Sequence, residues 1–82
     1  MEIAFTPAGW RDWQKLSTQT QDRLQSKLIF YARDPLRYAS KLTNSKIGQY
    51  RFRVGDYRIV FDLAEHAIVV LAVGHRKDIY KG

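Results

Sequence analysis

The positions of apolar residues predict a strand and a helix at the beginning of the chain. Ile3 and Phe5 alternate with polar or small neighbours, which is the two-residue period of a short strand. Thr6 and Pro7 follow, and these residue types favour the N-cap and the first position of a helix. A helical stripe then has apolar residues at every third position: Trp10, Trp13 and Leu16.

A second helix is predicted from a capping box at residues 18–21, with the sequence TQTQ. Its apolar residues recur with helical spacing: Leu24, Leu28, Ile29, Tyr31 and Ala32. Asp34-Pro35 ends the helix, because proline disfavours helical geometry in the residue before it. The next segment has no clear period, and the side chains expected to point inward are Leu36, Tyr38 and Leu42. Residues 43–46 are expected to form an exposed loop.

The apolar period changes to two after residue 48, which predicts three consecutive strands. Residues 49–61, QYRFRVGDYRIVF, indicate a hairpin with a tight turn at Gly55-Asp56, because glycine accepts the positive φ that such turns need. Residues 67–73, AIVVLAV, are apolar on both faces and are expected to form the most central strand. The predicted fold is therefore α+β, with an N-terminal strand, a helical hairpin and a three-stranded antiparallel meander. The helices should pack on one face of the sheet.

The two-residue turn also fixes the register of the hairpin and the placement of its arginines. Arg53 would lie opposite Arg58, with Arg51 on the same face, away from the helices. Like charges directly opposite each other are unfavourable, so a loop acid or an external anion should accompany them. The antiparallel last strand would bring residues 74–76 close to Arg58, with Tyr80 beyond. We expect a concave basic patch suited to phosphate, which guanidinium groups bind through paired hydrogen bonds.

Each of these residues also has a structural interpretation. Arg51 can be a solvated strand residue, and Arg76 can pair with a nearby carboxylate. His75 and Tyr80 can be surface or packing residues. Both tryptophans are interpreted as packing residues, because they lie on the helical stripe. The pattern alone therefore indicates a basic α+β domain that binds a polyanion.

The composition narrows the classes of partner and site. Fourteen Lys and Arg against eight Asp and Glu give a formal charge of +6, which favours nucleic acid and, second, acidic protein segments. The chain has no cysteine and only two histidines, which excludes disulfides and cysteine-based or all-histidine metal sites. The longest apolar run is far shorter than the ~20 residues of a membrane helix, and the N-terminus does not resemble a signal peptide. We expect one cytoplasmic domain over residues 1–82, without contact to a membrane.

Two blocks near the end of the chain resemble a known signature. The sequences YRFRVGDYRIVFDL and IVVLAVGHRKDIY are similar to the carboxy-terminal part of the RelE/ParE toxin superfamily, the toxins of bacterial and archaeal type II toxin–antitoxin systems. The predicted order β-α-α-β-β-β matches over essentially the whole chain. RelE-like members are ribosome-dependent endoribonucleases that cleave mRNA and stop translation, whereas ParE-like members poison DNA gyrase and generally lack the basic catalytic set. The arginines favour the nuclease. A gyrase-binding toxin and a degenerate RNA-binding member remain alternative interpretations.

The resemblance implies a role for each candidate residue. Arg53 and Arg58 would stabilise five-coordinate phosphorus while the RNA 2′-hydroxyl attacks, without a metal or another cofactor. Arg76 would bind the scissile phosphate and assist the leaving 5′-oxygen, and Tyr80 would stack on the cut nucleotide. Arg51 stands where the family has a lysine proposed as base. Arginine stays protonated, so His75 becomes the candidate base. Further contacts to RNA phosphates are expected from Arg51, Lys46, Lys77 and Lys81.

The resemblance also implies partners. A toxin of this class acts on mRNA in the ribosome and is neutralised by a cognate antitoxin whose chain wraps around it. An acidic antitoxin segment would be attracted at long range by a toxin of charge +6.

Overall fold

The computed structural model describes residues 1–43 and 46–79, so that Asn44, Ser45 and residues 80–82 lie outside the described part. The elements in chain order are β1 (Glu2–Phe5), α1 (Pro7–Gln14), α2 (Thr18–Tyr31), α3 (Pro35–Tyr38), β2 (Ser40–Lys41), β3 (Tyr50–Val54), β4 (Tyr57–Leu63), β5 (Ala67–His75) and α4 (Arg76–Ile79). The predicted α+β fold is confirmed. The sequence did not indicate α3, β2 or α4, which are each no longer than four residues.

The sheet has the strand order β1-β5-β4-β3-β2, with β1 parallel to β5 and the other neighbours antiparallel. The hairpin register is confirmed: Arg53 pairs with Arg58, and Val54 with Tyr57. Gly55 has a φ of 59°, the left-handed conformation that the turn required. The prediction that β5 is the most central strand is wrong. β2 adds a fifth strand beyond β3, which makes β4 the middle one and buries its residues 58–61.

Both long helices begin at side-chain caps. Thr6 accepts a hydrogen bond from the backbone N–H of Gly9 at 3.0 Å, which confirms the predicted N-cap of α1. Ser17, one residue earlier than predicted, caps α2 and accepts from the N–H of Thr20 at 3.2 Å. Gln21 closes no capping box. Its amide instead donates to a carbonyl of α1 at 2.8 Å and thereby ties the two helices together.

The core lies between the helices and one face of the sheet. It consists of Trp13, Leu24, Leu28, Ala32, Phe52, Val54, Ile59, Phe61, Ile68, Val70 and Val73. α1 approaches β5 closely at Gly9, where an added Cβ would overlap the carbonyl oxygen of Val70. Asp12 in the next turn accepts a hydrogen bond from the N–H of Val73 at 3.0 Å. These two contacts fix α1 against the strand that leads to the candidate site.

Several side chains predicted to point inward lie at the surface instead. Leu36 is 58% exposed, Ile29 52% and Tyr38 37%. Trp10 packs edge-on against Phe5, as a packing residue should, but is 47% exposed. Helical spacing shows that a helix has an apolar stripe, but it does not show how wide the buried part of that stripe is. Side chains at the edge of the stripe, such as Ile29, therefore lie on the rim of the helical layer. No helix in the described part of the chain is long and apolar enough to cross a membrane.

Candidate phosphate-binding site

Three of the predicted arginines meet around the turn between β3 and β4. Arg53 and Arg58 are cross-strand partners on either side of the turn, and Arg58 also lies opposite Gly74 of β5. The N–H of Arg76 donates to the carbonyl of Asp56 at 2.7 Å, which joins the start of α4 to the turn. We call Arg53, Arg58 and Arg76 the hairpin-tip cluster. The prediction that the end of the last strand returns to Arg58 is confirmed.

Arg58 is held by the backbone of the turn. Only 5% of the residue is exposed, and its Nη1 donates to the carbonyls of Gly55 at 2.9 Å and Tyr57 at 2.8 Å. The sequence had placed Arg58 on an open strand face, and this is wrong. Of the five N–H donors of a guanidinium, the two on Nη1 serve these carbonyls. The remaining donors keep a fixed direction, since the turn prevents the side chain from swinging away.

Arg53 and Arg76 differ from Arg58 in being accessible to solvent. Arg53 is exposed on the strand, and the side chain of Arg76 is 53% exposed. The Nε of Arg76 lies 3.8 Å from a carboxylate oxygen of Asp56, whose side chain is 65% exposed. The loop acid considered from the sequence is therefore Asp56. Exposed ion pairs of this kind contribute only about 0–1 kcal/mol, so an external anion can replace the carboxylate.

The other predicted phosphate contacts are spread over a wider surface. Arg51 is half-buried opposite Val60, and Lys77 is exposed on α4. Lys46 is exposed at an open hollow of about 530 Å³ beside Tyr50, at the far end of β3 from the turn. Tyr80 and Lys81 lie outside the described residues.

The face of the sheet that carries the arginines is only partly open. Gly48 lies directly over β4 and β5, where an added Cβ would be 2.6 Å from Cγ1 of Val60 and 2.9 Å from Cδ1 of Leu71. The N–H of Gln49 donates to the carboxylate of Asp62 at 2.8 Å and fixes this segment. Val60 is consequently fully buried. The continuous concave patch expected from the sequence is thus reduced to the hairpin tip and the margins of the face.

His75 lies on the opposite face of the sheet from the cluster. Its ring contacts Tyr57 edge-on at 5.8 Å between centroids, above a hollow of about 430 Å³ that Asp12 and Lys15 of α1 also line. Its Nδ1 accepts a hydrogen bond from the N–H of Lys77 at 3.2 Å. The predicted convergence of His75 with the arginines is wrong, because side chains alternate along a strand. Since Gly74 shares a face with Arg58, the next residue must point the other way.

Sequence reasoning missed one arginine at the turn. Arg23 of α2 extends to Gly55, where an added Cβ would lie 2.5 Å from the Nη2 atom of Arg23. The residue is exposed and one position before the core residue Leu24. No sequence pattern indicates this contact, because it depends on how α2 is placed relative to the hairpin.

Comparison with known proteins places this chain in a family. Residues 3–80 match the family model described as the ParE toxin of the type II toxin–antitoxin system parDE. The toxin RelG of Mycobacterium tuberculosis is 33% identical, over 96% of this chain and 94% of its own length. The chain belongs to the RelE/ParE toxin superfamily. It is therefore the toxin of a type II toxin–antitoxin system.

Solved structures of RelE toxins have the same fold. The RelBE2 toxin–antitoxin complex of M. tuberculosis matches with a TM-score of 0.81 and 27% identity, over 92% of this chain and 96% of the matched chain. The isolated RelE toxin of E. coli matches with a TM-score of 0.75 and 23% identity, over 90% of this chain and 82% of that one. The second likeness concerns the fold alone. The family resemblance drawn from the two carboxy-terminal blocks is confirmed.

Proposed function

We propose that this RelE/ParE toxin is an endoribonuclease that cleaves mRNA on the ribosome and thereby stops translation. The observation that supports the proposal is the hairpin-tip cluster, where three arginines surround one turn that carries a single carboxylate. A protein that only needed a stable hairpin would not gain from Arg53 opposite Arg58, because like charges directly opposite each other are destabilising. A phosphate group would remove that cost.

The proposed reaction is an internal transfer at phosphorus. The 2′-oxygen forms a bond to phosphorus, the bond from phosphorus to the 5′-oxygen breaks, and the products are a 2′,3′-cyclic phosphate and a 5′-hydroxyl. Arg53 and Arg58 stabilise the additional negative charge of the five-coordinate state, and preorganised donors of this kind commonly supply the largest part of catalysis. Arg58 suits this role because the turn already fixes its direction.

The remaining side chains are proposed to hold the scissile phosphate, the cut nucleotide and the flanking phosphates. Arg76 binds the scissile phosphate in place of Asp56 and stabilises the leaving 5′-oxygen, and Tyr80 stacks on the cut nucleotide. His75 is not assigned as the base, since its ring lies on the other face of the sheet. The 2′ proton then leaves to water, and water supplies the proton that turns the leaving 5′-oxygen into the 5′-hydroxyl. Arg51, Lys46, Lys77 and Lys81 contact flanking phosphates.

We propose a cognate acidic antitoxin as the second partner of this chain. The matched mycobacterial structure is a toxin–antitoxin complex. The charge of +6 attracts an acidic segment at long range, and the exposed Arg53 and Arg76 can pair with its carboxylates. Such pairing would cover the hairpin-tip cluster and inhibit the toxin. Toxin, ribosome and antitoxin would meet in the cytoplasm.

Cell-free translation with the purified chain tests the nuclease directly. Primer extension on the message should show defined cuts that require ribosomes. These cuts should disappear with Arg76→Ala and persist with Arg33→Ala, which removes another exposed arginine just beyond the end of α2. An uncut message with translation still running would refute the proposal.

A gyrase-directed activity is the second candidate, because a specific surface favours it. The matching family model is that of a ParE toxin, and an open apolar groove of about 400 Å³ runs between β1, α1 and α2. Its lining includes Trp10, which is 47% exposed. A gyrase poison should inhibit DNA supercoiling, should lose this effect with Trp10→Ala and should keep it with Arg76→Ala. A toxin that leaves supercoiling unchanged, and whose mRNA cleavage is lost with Arg76→Ala but kept with Trp10→Ala, supports the nuclease.

A further inference from the structure

Arg23 brings a fourth guanidinium to the turn from a different layer of the fold. Its Nη2 lies 2.5 Å from the position that a Cβ at Gly55 would take, so the end of this side chain lies directly against the turn. Arg58 binds the carbonyl of the same Gly55, and Arg76 contacts the adjoining Asp56. Guanidinium groups from α2, β4 and α4 therefore contact two consecutive residues.

The charge of Arg23 is not paired with a carboxylate in the described part of the chain. Within residues 1–43 and 46–79, no carboxylate lies within ion-pair distance of Arg23. The carboxylate of the turn, Asp56, is engaged by Arg76 instead. A purely structural contact with the turn would not require a charge, since a neutral side chain can also pack against an exposed glycine. An unneutralised guanidinium beside three others is suited to an anion.

We propose that Arg23 binds a backbone phosphate that flanks the scissile one, so that the RNA strand passes around the hairpin tip from the sheet to α2. This inference rests on the proposed nuclease function and extends its phosphate-binding surface to the helical layer. Arg58 donates to the carbonyl oxygen of Gly55, whereas Nη2 of Arg23 lies 2.5 Å from the position that an added Cβ would take. Since the two guanidinium groups reach the turn from different layers of the fold, we assign them to neighbouring phosphates of one strand.

Binding of a single-stranded 2′-O-methyl RNA oligonucleotide tests the inference, because this probe lacks the attacking hydroxyl and is not cut. The dissociation constant of the full chain is measured over a series of KCl concentrations. Arg23→Gln should weaken binding about 3- to 10-fold, and should lower the slope of log affinity against log salt by about 0.7, the value for one phosphate contact on a single strand. A purely structural role for Arg23 would leave this slope unchanged.

Arg33→Gln is the matched control. It removes the same charge from an exposed position two residues beyond the end of the same helix, ten residues after Arg23, and should leave the slope unaltered. Arg53→Gln in the same titration separates this inference from the proposed function. A lowered slope for Arg53→Gln with an unchanged slope for Arg23→Gln overturns the role of Arg23 alone. An unmodified chain that does not bind the probe overturns both.

Chemical modification of the unaltered protein provides a second measurement that does not depend on the folding of a variant. Phenylglyoxal reacts with accessible arginines, and mass spectrometry locates the adducts. The oligonucleotide should protect Arg23 and Arg53 at least about 3-fold, and should leave Arg33 equally reactive. Modification of Arg23 at the same rate with and without the probe would overturn the inference.

Discussion

Replacing Arg58 and Arg53 separately by alanine distinguishes the two members of the central arginine pair. Both variants remove one charge of the same cross-strand pair, so both relieve the same repulsion, about 0.2–1 kcal/mol. Only Arg58→Ala also removes hydrogen bonds to protein, those from Nη1 to the carbonyls of Gly55 and Tyr57. The difference in stability between the variants therefore isolates the fixation of the turn.

The size of this difference follows from the two hydrogen bonds. Each contributes about 0.5–1.5 kcal/mol, so Arg58→Ala should be about 1–3 kcal/mol less stable than Arg53→Ala. Burial of the Arg58 side chain adds lost packing to this value, whereas the exposed Arg53 has little packing to lose. At a central 2 kcal/mol, the melting temperature should differ by about 8–16 °C in a domain of this size.

Thermal denaturation followed by circular dichroism measures the difference, and urea denaturation checks it at constant temperature. Cleavage on the ribosome should be lost in both variants, because the proposal gives both side chains a role at the phosphate. Equal melting temperatures for the two variants would refute the interpretation of Arg58 as the anchor of the turn. Full cleavage by a folded Arg58→Ala would remove Arg58 from the proposed site.

Three further changes test individual features of the fold and site. Ser17→Ala should lower the free energy of unfolding by about 1 kcal/mol in urea denaturation because it removes the cap of α2, and Thr18→Ala should lower it by less than half as much. Gly9→Ala should lower the free energy of unfolding by about 1–3 kcal/mol in the same measurement, because the backbone of β5 occupies the space that a Cβ would need. His75→Ala should keep its cleavage rate in the primer-extension assay, since its ring lies across the sheet from the cluster; a loss of cleavage with an unchanged melting temperature would restore it as a candidate base.

The hairpin was predictable residue by residue because local chemistry determines it. Gly55 in a two-residue turn fixes the pairing of β3 with β4, and the alternation of side chains then places Arg53 opposite Arg58. The return of β5 to the turn follows from the antiparallel meander. The position of His75 could have been derived in the same way, since the residue after Gly74 must point to the other face.

Features that depend on distant segments were not predictable. The two-residue strand β2 has no period to recognise, yet its pairing with β3 makes β4 the central strand. Burial of Val60 depends on Gly48, which belongs to a segment without secondary structure that lies directly over the sheet. The contact of Arg23 with Gly55 requires the exact placement of α2 on the sheet. Sequence periodicity determines which face of an element is apolar, but not the position of one element on another.

The contacts of the arginines at the turn between β3 and β4 leave this turn available to an anion. Arg58 donates from Nη1 to two backbone carbonyls, which accept hydrogen bonds without neutralising its charge. In the part of the chain that the structure describes, Asp56 is the one carboxylate that forms an ion pair with any of the four arginines at the turn. Additional acids would have stabilised the isolated hairpin but would repel RNA phosphate from the same positions. The turn thus combines fixed donors with uncompensated charge, and these are the two properties that stabilisation of a phosphoryl transition state requires.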